Sequence, residues 1–417
     1  VGSRDYFDTT IDGNVNVAIR DRQPGSSFKP YVYITAFAKG YTPETYLFDV
    51  KTNFGTESGK DYEPQDYDGK FRGPIKMKEA LAQSLNIPAV EALYLAGVKE
   101  SVATAKRFGI TTLNQPERYG LSLVLGGGEV KLVDHVNAFG TFATGGIRHS
   151  KTAIIKVENS KGETLENYIP GPGERVIDQK YVAMIDHIIS TNDLRSPVFG
   201  SNSPLRFDDR PVAAKTGTTN EFRDGWTVGY TPSLVTGVWA GNNDNSPMRA
   251  GADGVNVAAP IWRSYMDQVL KNSAIEKFPE YKEEKTGKPI LDGDLNVKEE
   301  LKVCEIPGQD NKYCLANKYC PNTDKKYFAN IHTILWYVDK DKPRAEYPKN
   351  PEKDPQFKKW ETALQDWYKK EKDYILEDPP DKECSSEDFV KFLPQISLSV
   401  PDDVISNSLK IKTSVNA

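Results

Sequence analysis

The feature that most narrows what this chain can become is the nonapeptide Arg22-Gln23-Pro24-Gly25-Ser26-Ser27-Phe28-Lys29-Pro30. Its Pro-Gly break is followed by Tyr31, Ile34 and Phe37 at helical spacing, up to a stop at Gly40. A helix beginning near Ser26 puts the Ser26 hydroxyl and the Lys29 amine one turn apart on one face. A serine hydroxyl is a poor nucleophile at neutral pH, and a lysine held neutral by burial and nearby cations can take its proton. A lone S-x-x-K more often marks a surface helix than a site. This one occurs once in the chain and gains its weight from two elements downstream.

The second element is Ser84-Leu85-Asn86, a hydroxyl to relay a proton and an amide to hold a substrate carbonyl. Ser190-Thr191-Asn192 and Ser414-Val415-Asn416 repeat the pattern. Ser84 is preferred because it ends a short helix from Met77 to Gln83, just before Pro88 opens another through Val90, Leu93 and Tyr94. The third element is Lys215-Thr216-Gly217-Thr218, which joins a cation and hydroxyls to a glycine that lets substrate backbone approach. Its duplicate, Lys285-Thr286-Gly287, lies in a charged run, whereas Lys215 follows Val212-Ala213-Ala214 and belongs at the rim of a sheet.

The intervening chain reads as a mixed fold. Residues 1–22 are expected as strand and turn, with Ile11-Asp12-Gly13-Asn14 the turn, and 41–72 as a long loop over a site. The cluster Gly126-Gly127-Gly128 reads as a turn, and Leu132 to Ala143 as a helix ending at Gly145-Gly146. Residues 153–157 and Thr164-Leu165 flank Asn159-Ser160-Lys161-Gly162 as a hairpin, and a helix runs from Gln179 to Ile189. Residues 226–230 and 234–239 pair as an antiparallel hairpin, and Pro260 to Leu270 closes as a helix with Ile261, Tyr265 and Val269 on one face. Beyond Asn272 the chain turns charged and Pro-rich. One helix from Asp354-Pro355 carries Phe357, Trp360, Leu364 and Trp367 on a stripe for contact within the chain, and 396–415 reads as two strands.

A chain of 417 residues, 38% hydrophobic with net charge −5, has a large core, more than one domain and no general reason to bind nucleic acid. No apolar run reaches membrane-spanning length, and the start at Val1 reads as a cut through a longer protein. The histidines His135, His149, His187 and His332 have no G-x-S-x-G elbow to serve. No H-E-x-x-H, Walker loop or dinucleotide fingerprint occurs, so neither metal nor cofactor is expected. Cys304, Cys314, Cys320 and Cys384 lack a C-x-x-C, which sets zinc aside; two disulfides in an oxidising compartment are expected, with all three pairings open.

Together the three motifs match the signature of β-lactamases and penicillin-binding proteins, with Leu85 where β-lactamases usually have Asp. The wider context closely resembles the transpeptidase domain of class A penicillin-binding proteins over roughly residues 1–272. It comprises 22–30, Leu85 to Val90, Ala214 to Thr219, Asp224-Gly225-Trp226, Gly229 to Pro232 and Val238-Trp239. The resemblance implies an α+β serine transpeptidase fold, with a five-stranded antiparallel sheet between helices. It implies a transpeptidase domain over 1–272; residues 273–392 match no motif and read as a charged, Cys-containing linker or small accessory region, and the strands of 393–417 resemble the start of an immunoglobulin-like module. It implies an extracytoplasmic, membrane-anchored enzyme that cross-links peptidoglycan stem peptides, is trapped by β-lactams, and carries a glycosyltransferase domain ahead of this region. Ser26 would attack the carbonyl between two D-alanines, with Lys29 as base and Ser84 shuttling the proton. Asn86 would hold the substrate amide, and Lys215, Thr216 and Thr218, with Gly217 between them, would bind the terminal carboxylate. The backbone N–H groups of Ser26 and Thr218 would form the oxyanion hole.

A hydrolase, either a D,D-carboxypeptidase or a β-lactamase, and a non-catalytic β-lactam sensor or scaffold are the rivals. Class A β-lactamases need a deacylating glutamate between the second and third motifs. The candidates Glu163 and Glu166 fall on the expected hairpin.

Overall fold

Two helices that are apolar on every side lie at the centre of the fold. In the computed structural model, which describes residues 1–57, 59–295, 301–309, 312–328, 331–370, 374–375 and 380–390, the first is α1 (Lys29–Lys39). It follows a 3-10 turn, Gly25–Phe28, and buries Tyr31, Val32, Tyr33, Ile34, Ala36 and Phe37 completely. The paired strands β1 (Tyr46–Asp49) and β2 (Gly73–Lys76) lead into α2 (Met77–Ala82) and then the second central helix, α3 (Ile87–Ala96). A helix with no polar face must be surrounded, and α4 (Val98–Phe108), α5 (Leu132–Ala143) and α6 (Gln179–Ser190) help surround the pair. Tyr31, Phe108, Phe139 and Phe142 meet in one ring cluster at the junction of α1, α4 and α5.

After α7 (Asn192–Phe199) come the strands β3 (Ala213–Thr218), β4 (Asp224–Tyr230) and β5 (Val235–Gly241), a three-stranded antiparallel sheet. Its register sets Lys215 opposite Val228, Gly217 opposite Trp226, and Trp226 opposite Trp239. The expected five strands are therefore three by backbone pairing among the described residues. Every residue of β4 is buried, because helices cover both faces of the sheet.

The single turn α8 (Gly254–Val257) leads to α9 (Ala259–Leu270), whose expected inner stripe is the outer one. Ile261, Tyr265 and Val269 are 56%, 51% and 44% exposed, while Trp262, Met266 and Leu270 pack against Leu205, Val212 and Ala214. The helix has apolar residues on two stripes, and Gly229 selects between them: a side chain there would collide with the Trp262 indole. The N-terminal segment also differs from expectation. Asp8 and Asn16 cap two 3-10 turns, Thr9–Ile11 and Val17–Ile19, by accepting from the amides two residues on. The expected hairpin is present, Lys156–Glu158 against Thr164–Asn167, with its second strand wholly exposed.

Contacts divide the chain into two units, 1–296 with 331–372, and 297–330 with 373–417. The span 273–392 is thus shared between them. The second unit has a four-stranded sheet in which β6 (Leu301–Glu305) lies between β7 (Tyr313–Leu315) and β8 (Asp324–Phe328), and a short strand, Tyr374–Ile375, pairs parallel to β8. Cys314 and Cys384 form a disulfide there, Cα to Cα 5.0 Å, while Cys304 and Cys320 remain thiols, so one of the two expected bridges is present. In the first unit, α10 (Ile334–Tyr337) and α11 (Phe357–Lys370) follow. Trp360 and Leu364 are buried, and the Trp360 ring stands edge-on to Phe54 and Tyr94. Among the described residues no helix is long and apolar enough to cross a membrane. The strands expected over 396–415 lie outside the described residues.

Candidate active site

The turn that carries Ser26 is held from three sides. Gly25 has φ +54°, a conformation that favours glycine, and a Cβ there would collide with the backbone of Thr218 at the end of β3. A Cβ on Gly217 would strike Pro24 O, and one on Gly126 would strike the Gly25 backbone. Three glycines thus let the nucleophile turn, the sheet rim and the 121–125 turn approach at backbone distance. Trp226 Nε1 donates to Gln23 O at 2.8 Å and fixes the approach to the turn. Ser26 is partly exposed, while Ser27, Phe28 and Lys29 are buried.

One turn on, Lys29 Nζ donates to Ser84 O at 2.7 Å, Leu85 O at 2.8 Å and Asn86 Oδ1 at 2.9 Å. Complete burial lowers its pKa to about 7, with the Asp66 carboxylate pulling the other way. Ser84 sits at φ +62°, a strained conformation for a non-glycine residue that costs on the order of 1–3 kcal/mol. That geometry turns its carbonyl to Lys29 and its hydroxyl to Lys215, whose Nζ donates to Ser84 Oγ at 2.7 Å and to Thr216 O at 3.1 Å. Burial, then the charges of Lys29 and Arg195, hold the Lys215 ammonium well below its ordinary pKa. Two buried amines, each harder to protonate for its burial, flank one serine, and an anion brought between them favours their charged forms. Thr216 is buried beside Lys215, and Thr218 Oγ1 accepts from Gly254 N at 3.0 Å, which ties the rim to α8.

The expected 41–72 loop contains strand β1 and a short hairpin, Thr56–Glu57 against Lys60–Asp61, and its stretch 65–67 closes the other wall. Asn86 donates through Nδ2 to Gln65 O at 2.7 Å and through its backbone N–H to Asp66 Oδ1. Tyr67 hydrogen-bonds Asp253, whose carboxylate caps α8 across the groove. Ser26, Lys29, Ser84, Asn86, Lys215, Thr216, Gly217 and Thr218, from three separate segments, are therefore brought to one cleft. Glu163 and Glu166 stay on the exposed hairpin.

Two residues in this neighbourhood carry no sequence signal. Asp66 is one acid among many in its loop. His135 reads as a packed helix residue, yet it lies beneath the nucleophile turn. Its Nε2 is 2.9 Å from Ser27 Oγ and its Nδ1 3.0 Å from Tyr31 OH. Because Ser27 Oγ donates to Pro24 O at 2.6 Å, His135 must donate from Nε2 and accept from Tyr31. Burial lowers its pKa to about 3 and keeps it neutral in that role.

Comparison with known proteins places this geometry. A family model described as the penicillin binding protein transpeptidase domain matches residues 3–267. The chain is 31% identical over 288 residues to penicillin-binding protein 1A of Neisseria flavescens, covering 67% of this chain and 35% of that protein. It is 35% identical over 287 residues to penicillin-binding protein 2D of Bacillus subtilis, covering 67% and 40%. The chain thus spans well under half the length of these relatives. Among solved structures, the PonA1 protein from Mycobacterium tuberculosis in complex with penicillin V superposes with TM-score 0.56 at 27% identity, over 64% of this chain and 74% of that one. Penicillin-binding protein 1A from Haemophilus influenzae shares the fold, with TM-score 0.59 at 23% identity, over 78% and 50%.

Proposed function

This chain belongs to the penicillin-binding protein transpeptidase domain family, in its class A branch, and from that premise we propose that it cross-links peptidoglycan stem peptides through an acyl-enzyme on Ser26. The observation that carries this reading is the meeting of Lys29 and Lys215 on opposite sides of Ser84, beside the Ser26 turn.

Lys29, whose pKa burial lowers to about 7, takes the Ser26 proton in its neutral form as Oγ attacks the carbonyl between two D-alanines. The backbone N–H groups of Ser26 and Thr218 receive the oxyanion, in a turn already held against the sheet rim by Gly25 and Gly217. Lys215, Thr216 and Thr218 bind the terminal carboxylate, supplying the anion that the paired lysines lack. Ser84 accepts from Lys215, so its own proton is free to pass to the departing D-alanine amine. The amide of Asn86 aligns the donor peptide. An amine from a second stem then attacks the ester, forms the new amide bond and releases Ser26. β-Lactams acylate the same oxygen because they mimic the D-Ala-D-Ala end. The PonA1 relative, solved with penicillin V, supports that reading.

We also propose that the full-length protein works outside the cytoplasm behind a membrane anchor and carries a peptidoglycan glycosyltransferase domain. The 35% and 40% shares show that the two relatives extend well beyond the matched region, which leaves room for such segments.

The test supplies a peptide ending in D-Ala-D-Ala together with an amine acceptor and follows both D-alanine release and joined product by mass. Joined product is expected. Hydrolysed donor alone would make the chain a carboxypeptidase, and release of nothing, beside a stable penicillin adduct, would make it a sensor.

A further inference from the structure

All four cysteines of the chain, supplied by four stretches of sequence, meet in the second unit. Cys304 on β6 and Cys314 on β7 are cross-strand partners. Cys384 bonds through its backbone N–H to Leu315 O at 3.0 Å and is disulfide-linked to Cys314. Cys320 follows a turn closed by its N–H on Asn317 O at 3.1 Å, and its Sγ lies 3.2 Å from Cys384 Sγ. The sulfurs of Cys304, Cys320 and Cys384 all lie within 4.8 Å of one another. In a tetrahedral thiolate site, with metal–sulfur bonds of about 2.3 Å, sulfurs stand roughly 3.8 Å apart.

The surroundings suit such a site. Cys304, Cys314 and Cys384 are buried and, with Phe389, form the hydrophobic cluster of this unit, to which Ile306 and Cys320 add. Two thiols packed against a disulfide are a four-sulfur site with one pair closed. The missing C-x-x-C carries little weight here, because ligands from separate strands and turns need no fixed spacing.

We propose that Cys304, Cys314, Cys320 and Cys384 form a redox-gated binding site for one soft divalent metal ion of the zinc class. A dithiol reductant gives two electrons to the Cys314–Cys384 bond and leaves as its own disulfide, its two protons passing to the freed sulfurs. The four thiols then bind one divalent ion and release four protons. A small-molecule disulfide that takes two electrons back re-forms the Cys314–Cys384 bond and leaves as two thiols; with two ligands gone, Cys304 and Cys320 take up protons and the ion is expelled. The bound state cross-links β6, β7, the 317–320 turn and the 384 segment at one point, whereas the oxidised state joins two of them.

The test uses the whole chain, reduced anaerobically with a trialkylphosphine, freed of reductant and titrated with cobalt(II). The expected result is the visible spectrum of a tetrahedral cobalt thiolate that saturates at one equivalent and bleaches when zinc is added. The oxidised chain gives no such spectrum. Cys304→Ser and Cys320→Ser each weaken cobalt binding by more than about tenfold, and their acylation by penicillin in the first unit checks that the protein is intact. Native mass spectrometry of the wild type reads the same site without a substitution, with one zinc per reduced chain and none per oxidised chain. The proposal is overturned if the reduced wild type takes up no metal, or if cobalt binds equally to the oxidised chain. An isolated chain four hydrogens lighter than its all-thiol form overturns it too, because Cys304 and Cys320 are then already joined to each other.

Discussion

Lys29 sets the pH behaviour of the site. It must be neutral to take a proton and is protonated below its pKa of about 7, so kcat/KM for β-lactam acylation rises with pH through about 7. Asp66 favours the charged form, so Asp66→Asn moves that rising limb to lower pH. A limb that stays in place would show that the Asp66 charge does not reach Lys29. At this scale the sequence was legible where chemistry repeats an ordered pattern: Ser26, Lys29, Ser84 and Lys215 could be picked out because three motifs follow one another. Asp66 and His135 were not legible. They act on Asn86 and Ser27, 20 and 108 residues away, and no local pattern encodes such a pairing. Gly217 shows a further constraint. Gly217→Ala must push the Pro24 carbonyl aside and with it the Ser26 turn, so acylation falls by about 100-fold. Wild-type acylation by that variant, measured with a chromogenic β-lactam, would contradict the close approach of turn and rim.

Elements with one period and one face were read correctly, and those with two candidate faces were not. Helix α1 stops before Gly40 as expected but is Lys29–Lys39, because the expected first turn from Ser26 belongs to the 3-10 segment Gly25–Phe28, and α5 covers the expected 132–143. In α9 both stripes are apolar, and only the sheet beneath decides which is inside. Trp262→Ala therefore costs about 3–5 kcal/mol of stability, whereas Tyr265→Ala stays within about 0.5 kcal/mol. Urea unfolding of the two variants checks this, and equal losses would contradict the assigned face. The segment before Arg22 failed for another reason. Asp8 and Asn16 bond their own neighbouring amides, and such caps outcompete the strand that alternating valines suggest.

At the scale of the whole molecule, domain division was the least legible property, because composition changes at Asn272 but packing does not follow composition. Residues 331–372 return to the first unit, where α11 sets Trp360 against Phe54 and Tyr94, and Gln356 Nε2 donates to Phe54 O at 2.9 Å. Trp360→Ala should cost about 3–5 kcal/mol in the same urea transition that abolishes penicillin binding and shift its midpoint to lower urea. If binding and that transition separate, the segment does not support the site.

The most direct test of the account is the site of covalent attachment. Wild type and Ser26→Ala are incubated with a labelled penicillin, and intact mass and peptide mapping locate the adduct over time. A single long-lived adduct on the peptide containing Ser26, absent from Ser26→Ala, is the predicted result. A folded wild type that takes no label, or a label that persists in Ser26→Ala, would contradict it.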